Sequence, residues 1–208
     1  VMSGGRVKNL CVGYGGREKD YAAVGASFKG RYGRMDKQVE TMRQVWAQQE
    51  IIEGAGAIGP PPSSTTGPAL LAGVIGPKSI ERSAQWADGI YAWSGNGEER
   101  ELQTTFALAA AAWERAGRKT KPYQLGGFWY TLTDNGQQKL YDYVYDYLAI
   151  AGHEIATMMA ESVHRSSPDS VAEALDSAER AGCEELFVVP VTAELAEIDL
   201  LEKIIANR

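Results

Sequence analysis

The stretch Gly59–Ala92, GPPPSSTTGPALLAGVIGPKSIERSAQWADGIYA, constrains the fold more than any other part of the chain. A Pro-rich approach leads into a short apolar run, Ala69–Val74, followed by a Gly-Pro turn. A helical segment, Lys78–Ala87, comes next, and Asp88-Gly89 opens a second apolar run, Gly89–Trp93. That pattern is a strand, a crossover helix and a parallel strand. Where the first strand hands over to the helix, free N–H groups face the ligand side of an α/β fold, and anionic cofactors dock there.

The same alternation covers the rest of the chain. Val7–Gly13 reads as a strand. Arg31–Trp46 reads as an amphipathic helix, with Met35, Val39, Met42 and Val45/Trp46 on one face. Glu53–Pro68 is too rich in Gly and Pro for regular structure and is expected to be a loop. Glu98–Ala116 is a helix with Leu102, Phe106, Ala109 and Trp113 in register, and its acidic first turn suits the helix dipole. A strand over Tyr123–Thr131 and a helix over Gln137–Ala151 follow. Pro168–Ala181 is a helix with Ser167 as N-cap and Gly182 as C-cap. Glu185–Val189 is the last strand and Glu194–Ala206 the last helix. All five strands are continuous apolar runs, as in a parallel sheet buried on both faces. With no internal repeat, residues 1–208 are expected to form a single domain.

Composition excludes several classes. With 21 basic against 27 acidic residues the net charge is -6, and no basic tract offers a nucleic-acid surface. No apolar run approaches the ~18 residues of a membrane span. The N-terminus lacks a signal-peptide core and opens almost directly into a strand, so the chain is expected to be part of something longer. Cys11 and Cys183 have no metal or CxxC spacing; they are expected to be buried free thiols in a reducing, cytoplasmic compartment. His153 and His164 have no partner spacing that suggests a metal. A G-x-S-x-G elbow, a Walker A loop and a Rossmann G-x-G-x-x-G followed by an acid are all absent.

An ordered series of short motifs carries more weight than any one of them. Ser3–Val7 is SGGRV and leads to VGYG at Val12–Gly15, then D-Y-x-x-x-G at Asp20–Gly25 and R-x-x-R-x-D at Arg31–Asp36. Gly59–Pro62 is GPPP, Ala72–Pro77 is A-G-x-x-G-P and Trp86–Gly89 is WADG. Ala181–Leu186, AGCEEL, leads to VVP at Val188–Pro190. In this order and spacing the set resembles the luciferase-like monooxygenase superfamily, the flavin- or F420-dependent TIM-barrel oxidoreductases. The resemblance covers essentially the whole chain. It implies an α/β fold of the (β/α)8-barrel type. In that family SGGRV introduces the fourth strand and a full barrel takes ~250 residues. The five strands are therefore expected to be the fourth to eighth, with the first three lacking.

The resemblance also implies a cofactor, coenzyme F420 or FMN, and a site. Gly73, Val74, Ile75, Gly76 and Pro77 are expected to lie against the cofactor; the plainer reading is a tight turn with Lys78 in solvent. Ala92, Trp93 and Ser94 are expected to help hold it, although Glu98, Glu99 and Glu101 nearby would repel a dianion. Tyr14 is expected across the mouth, as a donor or stacking wall. Gly16 stands where some sugar-phosphate-oxidising relatives have an acid, which speaks against that chemistry. No catalytic residue emerges. The function implied is that of an oxidoreductase or monooxygenase whose reduced cofactor transfers hydride or activates oxygen for a small organic substrate. The alternative is a truncated, non-catalytic flavin-binding or structural module. Open edges on Val7–Gly13 and Glu185–Val189 point to a homo-oligomer.

Overall fold

The computed structural model describes residues 3–64 and 66–208. Val1, Met2 and Thr65, hence the reading of the extreme N-terminus and one position of the Glu53–Pro68 loop, lie outside the described residues. The strands are β1 Asn9–Val12, β2 Ala69–Ala72, β3 Gly89–Trp93, β4 Tyr123–Tyr130 and β5 Glu185–Pro190. They form a sheet in the order β1-β2-β3-β4-β5, with β1/β2, β2/β3 and β4/β5 paired in parallel. The expected parallel α/β sheet is what the chain forms. The helices are α1 Glu18–Ala23, α2 Arg31–Trp46, α3 Pro77–Ser83, α4 Glu99–Arg115, α5 Gly136–Leu148, α6 His153–Ser162, α7 Pro168–Ala181 and α8 Ala196–Ala206.

Two helices were not legible. α1 has only six residues and buries none of them, so it carries no apolar stripe. α6 follows α5 after a short 3-10 turn, Ala149–Ala151. Gly152 separates them at φ 106°, a conformation that side-chain-bearing residues rarely take. α7 begins as expected: the Ser170 amide donates to the Ser167 hydroxyl (3.3 Å) and the Ser167 amide to the Ser170 hydroxyl (3.1 Å).

The described residues fall into two compact units. The first, Val1–Tyr91 with Leu108–Tyr123, packs Leu70, Leu71, Ala72, Ile80, Ala84, Ala87 and Ile90 into a core. Asp88, which opens β3, is a junction. Its carboxylate accepts the Leu70 amide (2.9 Å) and the Arg43 guanidinium (2.9 Å), while its carbonyl accepts the Tyr123 amide (3.0 Å). Gly89 has no room for a side chain: a Cβ would sit 2.4 Å from the Tyr123 carbonyl oxygen. The Asp-Gly pair therefore works as a strand connector.

The second unit, Ala92–Ala107 with Gln124–Arg208, holds two apolar clusters. One gathers Trp129, Leu140, Val144, Ala160, Val163 and Val191; the other gathers Phe128, Tyr130, Val171, Ala174 and Leu175. The cysteines differ from expectation. Cys11 is exposed and Cys183 half-buried. Beside Cys11 on its face of the sheet stands Gly73, with no side chain to cover the sulfur. Local desolvation nevertheless pushes both thiols up to about 11, which keeps them protonated and slow to react near neutral pH. No described helix is long and apolar enough to cross a membrane.

Candidate functional site

The first unit brings together the carboxyl ends of β1 and β2, the end of the sheet where α/β ligands bind. Beyond the pair Val12↔Ala72 the chains cross closely. A Cβ on Gly13 would lie 2.8 Å from the Gly73 carbonyl oxygen, and one on Gly73 would lie 3.2 Å from the Cys11 sulfur. These glycines let two backbones meet. Tyr14, which follows, is 6% exposed and packs its ring 4.6 Å from that of Tyr32. The Tyr21 hydroxyl donates to the Tyr14 carbonyl. The Tyr14 hydroxyl is buried without a well-formed hydrogen bond. Burial, and then the Asp36 carboxylate, push its pKa up, with the Trp86 indole opposing.

Gly76 is the N-cap of α3 at φ 87°, with open space where a side chain would project. Val74 is buried, whereas Ile75 is 93% exposed. Together Tyr32, Ile75, Gly76, Pro77, Lys78, Ser79 and Arg82 line a hollow of about 650 Å³. Lys78 and Arg82 are four apart on α3, so they share a face. Arg82 pairs with Asp36, and Lys78 has no ion pair among the described residues. The Tyr32 hydroxyl accepts from Arg31 (3.0 Å), which leaves its own proton free to donate. The hollow is mostly apolar, with an excess of positive charge at its edge.

In the second unit, Ala92 and Ser94 are buried and Trp93 half-buried. The Ser94 hydroxyl is already committed: it donates to Glu101 (2.6 Å) and accepts the Glu98 amide (2.9 Å). Asn96 donates to the Ser162 carbonyl (2.9 Å) and accepts the His164 amide (3.0 Å). The acids that threatened to repel a dianion are partnered. Glu98 meets the buried Arg165 (2.9 Å), Glu99 meets Arg180 (2.8 Å) and Glu101 meets Ser94. Arg165 also binds Glu173 (2.7 Å) and the carbonyls of Asn96 (2.6 Å) and Ser170 (3.0 Å). This loop is thereby built as a rigid support, with its side-chain donors turned inward.

At the carboxyl ends of β4 and β5 lies a residue that the sequence reading missed. Glu197, on α8, is fully buried. It accepts from the hydroxyls of Thr131 (2.6 Å), Thr133 (2.9 Å) and Thr192 (3.4 Å), and from the amides of Leu132 (2.7 Å) and Thr133 (3.4 Å). Burial opposes its ionisation more than any other single influence. The hydrogen bonds together outweigh that and hold the carboxyl below its ordinary value. Tyr32, Arg82 and Arg165 were missed as well. The Lys78/Arg82 spacing was the available clue; nothing local marks Glu197 or Arg165, whose partners are more than sixty residues away or lie across a turn.

Comparison with known proteins bears on the fold and the family. A monooxygenase of Streptomyces bottropensis matches the structure with a TM-score of 0.66 at 18% identity, over 99% of this chain and 68% of its own. The coenzyme F420 dependent tetrahydromethanopterin reductase of Methanopyrus kandleri matches at 0.61 and 12%, over 96% and 76%. The oxygenating constituent of 3,6-diketocamphane monooxygenase from Pseudomonas putida, solved with FMN, matches at 0.55 and 11%, over 87% and 64%. The chain matches no curated protein sequence. The model of the family described as luciferase-like monooxygenase matches residues 1–192. With its parallel α/β fold corresponding to part of that barrel, this chain belongs to the luciferase-like monooxygenase family.

Proposed function

We propose that this chain binds a flavin-type cofactor, FMN or coenzyme F420, and serves an oxidoreductase acting on a small organic molecule. One observation carries the reading. The glycine turn at the end of β2 borders a mostly apolar hollow whose edge holds an unpaired lysine and a tyrosine hydroxyl free to donate. Counting Lys78 and Arg82 against Asp36 leaves one positive charge unmatched there. An apolar ring system carrying an anionic group fits such a surface. The structures of similar fold solved with, or named for, FMN and F420 point the same way.

When bound, the cofactor supplies hydride transfer or oxygen activation. The residues of this chain bind and orient it. Gly73, Val74 and Gly76 present backbone, with Gly76 allowing close approach; Ile75 and Pro77 offer apolar surface. Lys78, Arg82 and Tyr32 meet the anionic group, and Tyr14, buried against Tyr32, is kept as a proposed contact through its position after β1. Ala92, Trp93 and Ser94 are kept as further proposed contacts on the strength of their position at a strand end. The substrate is a small molecule, and the edge strands β1 and β5 lead us to propose self-association, measurable by light scattering.

The test is a titration of the full chain with FMN, with riboflavin (the same ring without phosphate) and with F420. FMN is expected to bind about tenfold tighter than riboflavin, the equivalent of ~1.4 kcal/mol. Lys78→Ala should shrink that preference and leave riboflavin binding alone. Equal affinity for FMN and riboflavin, or no binding of FMN or F420, overturns the reading.

A further inference from the structure

A row of aromatic rings runs through the second unit. Trp93, the last residue of β3, meets Trp129 of β4 with ring centroids 4.7 Å apart. Trp129 meets Tyr147 of α5 at 5.8 Å and Tyr143 at 6.3 Å. Tyr143 and Tyr147 stack at 6.1 Å with planes 6° apart. The row starts at the carboxyl end of a strand and passes through an indole that is 6% exposed. It ends on a phenol that is 52% exposed. Every ring in it is Trp or Tyr. Phenylalanine would fill the same space with similar burial, and only indoles and phenols among the aromatic side chains give up an electron readily.

We propose that Trp93, Trp129 and Tyr147, with Tyr143 as a parallel branch, form a relay that carries oxidising equivalents from the end of β3 to the protein surface. The source of those equivalents rests on the function proposed above, since oxygen handled at a reduced flavin yields one-electron oxidants. Such an oxygen-derived oxidant takes one electron from the Trp93 indole and is itself reduced. Trp129 returns an electron to Trp93, and Tyr147 returns one to Trp129. The Tyr147 phenol gives its proton to water, which its exposure allows. Loss of that proton makes a tyrosine easier to oxidise at neutral pH than a tryptophan, so transfer runs outward. A soluble thiolate then donates one electron to the tyrosyl radical, which takes back a proton from water and leaves a thiyl radical. The sum is one electron moved from thiolate to oxidant, with the rings restored. The relay protects the residues around the site from oxidation.

Pulse radiolysis of the full chain in azide solution tests this without any cofactor. Azide radicals oxidise tryptophan in preference to tyrosine, and the tryptophan and tyrosyl radicals absorb at different wavelengths. In the unmodified chain the tryptophan radical should decay as tyrosyl radical grows, at a rate independent of protein concentration. Trp129→Phe and the pair Tyr143→Phe/Tyr147→Phe should each lower the tyrosyl yield roughly twofold or more, and combining them should lower it no further, because both interrupt one path. The tyrosine variants remove only hydroxyls, so they remain informative if Trp129→Phe is poorly folded. Trp46, Trp86 and Trp113 contribute a background common to all variants. No tyrosyl growth in the unmodified chain, or equal growth in all variants, overturns the relay. FMN titration of the same proteins separates the two readings. A relay present when neither FMN nor F420 binds sinks the cofactor assignment alone, and cofactor binding without a relay sinks the relay alone.

Discussion

Replacing Glu197 with glutamine keeps the shape of the side chain while changing what its two terminal atoms can do. One carboxylate oxygen accepts from the hydroxyls of Thr131, Thr133 and Thr192, and the other accepts the Leu132 amide at 2.7 Å. In Glu197→Gln the amide oxygen serves the hydroxyl group of donors best, which turns the NH2 toward the Leu132 N–H. A charge-assisted bond is lost and a buried donor is stranded, at a cost of about 3 kcal/mol. For a chain of this length that lowers Tm by roughly 6–12 °C. Thermal unfolding by circular dichroism measures it, and hydrogen exchange should show the Leu132 and Thr133 amides losing protection. The pH dependence checks the cause. The carboxyl sits below its ordinary value of 4.5 in the folded chain, so its contribution is full above that value and fades as pH falls through the folded pKa. The gap between the native chain and Glu197→Gln should therefore narrow on acidification below pH ~4.5. A variant within 1 kcal/mol of the native chain at pH ~7, or a gap that widens in acid, refutes the argument.

Arg165→Met should cost about 1–3 kcal/mol by urea unfolding, because it leaves the Asn96 and Ser170 carbonyls without their donor, while the exposed Glu98 and Glu173 carboxylates stay hydrated. Gly89→Ala should cost about 3 kcal/mol, since the methyl group meets the Tyr123 carbonyl oxygen at 2.4 Å and the two backbones must part. Gly76→Ala should cost about 1–3 kcal/mol, from its backbone alone (φ 87°, ψ 155°, a region taken readily only by glycine), because nothing lies near the new methyl group. Weaker FMN binding in that folded variant would support the turn as a cofactor contact, and unchanged binding would remove it. Both thiols should be alkylated by iodoacetamide more slowly than a free cysteine, with a rate that keeps rising with pH toward about 11.

Much of the architecture was legible locally because the strands are apolar runs, although only β2, β3 and β4 are buried as expected, while β1 and β5 are half-buried to exposed. Ala69–Ala72 and Tyr123–Tyr130 are apolar without alternation, which only a sheet covered on both faces accepts. α7 could be placed to the residue, since Ser167, Pro168 and Gly182 act on backbone groups within a turn of themselves. α1 and α6 escaped for the opposite reason. α1 buries nothing, and α6, beyond the expected helix end at Ala151, buries only Ala156 and Ala160, too little to mark a stripe. The Gly73–Pro77 turn could likewise be read in the chain, as a glycine-rich passage from strand to helix.

What surrounds that turn could not be read. Tyr32 and Arg82 reach the hollow because α2 and α3 pack side by side, and Asp36 holds Arg82 there across forty-six positions. Arg165 and Glu197 read as ordinary surface charges until their partners, sixty-four to sixty-nine positions distant, enclose them. Burial turns those charges into constraints, because an ionised group removed from water must be fully partnered to persist. Periodicity and local capping chemistry reside in neighbouring residues and are written along the chain. The satisfaction of a buried charge, and a hollow's surplus of positive charge, depend on which distant segments meet, and the folded structure alone decides that.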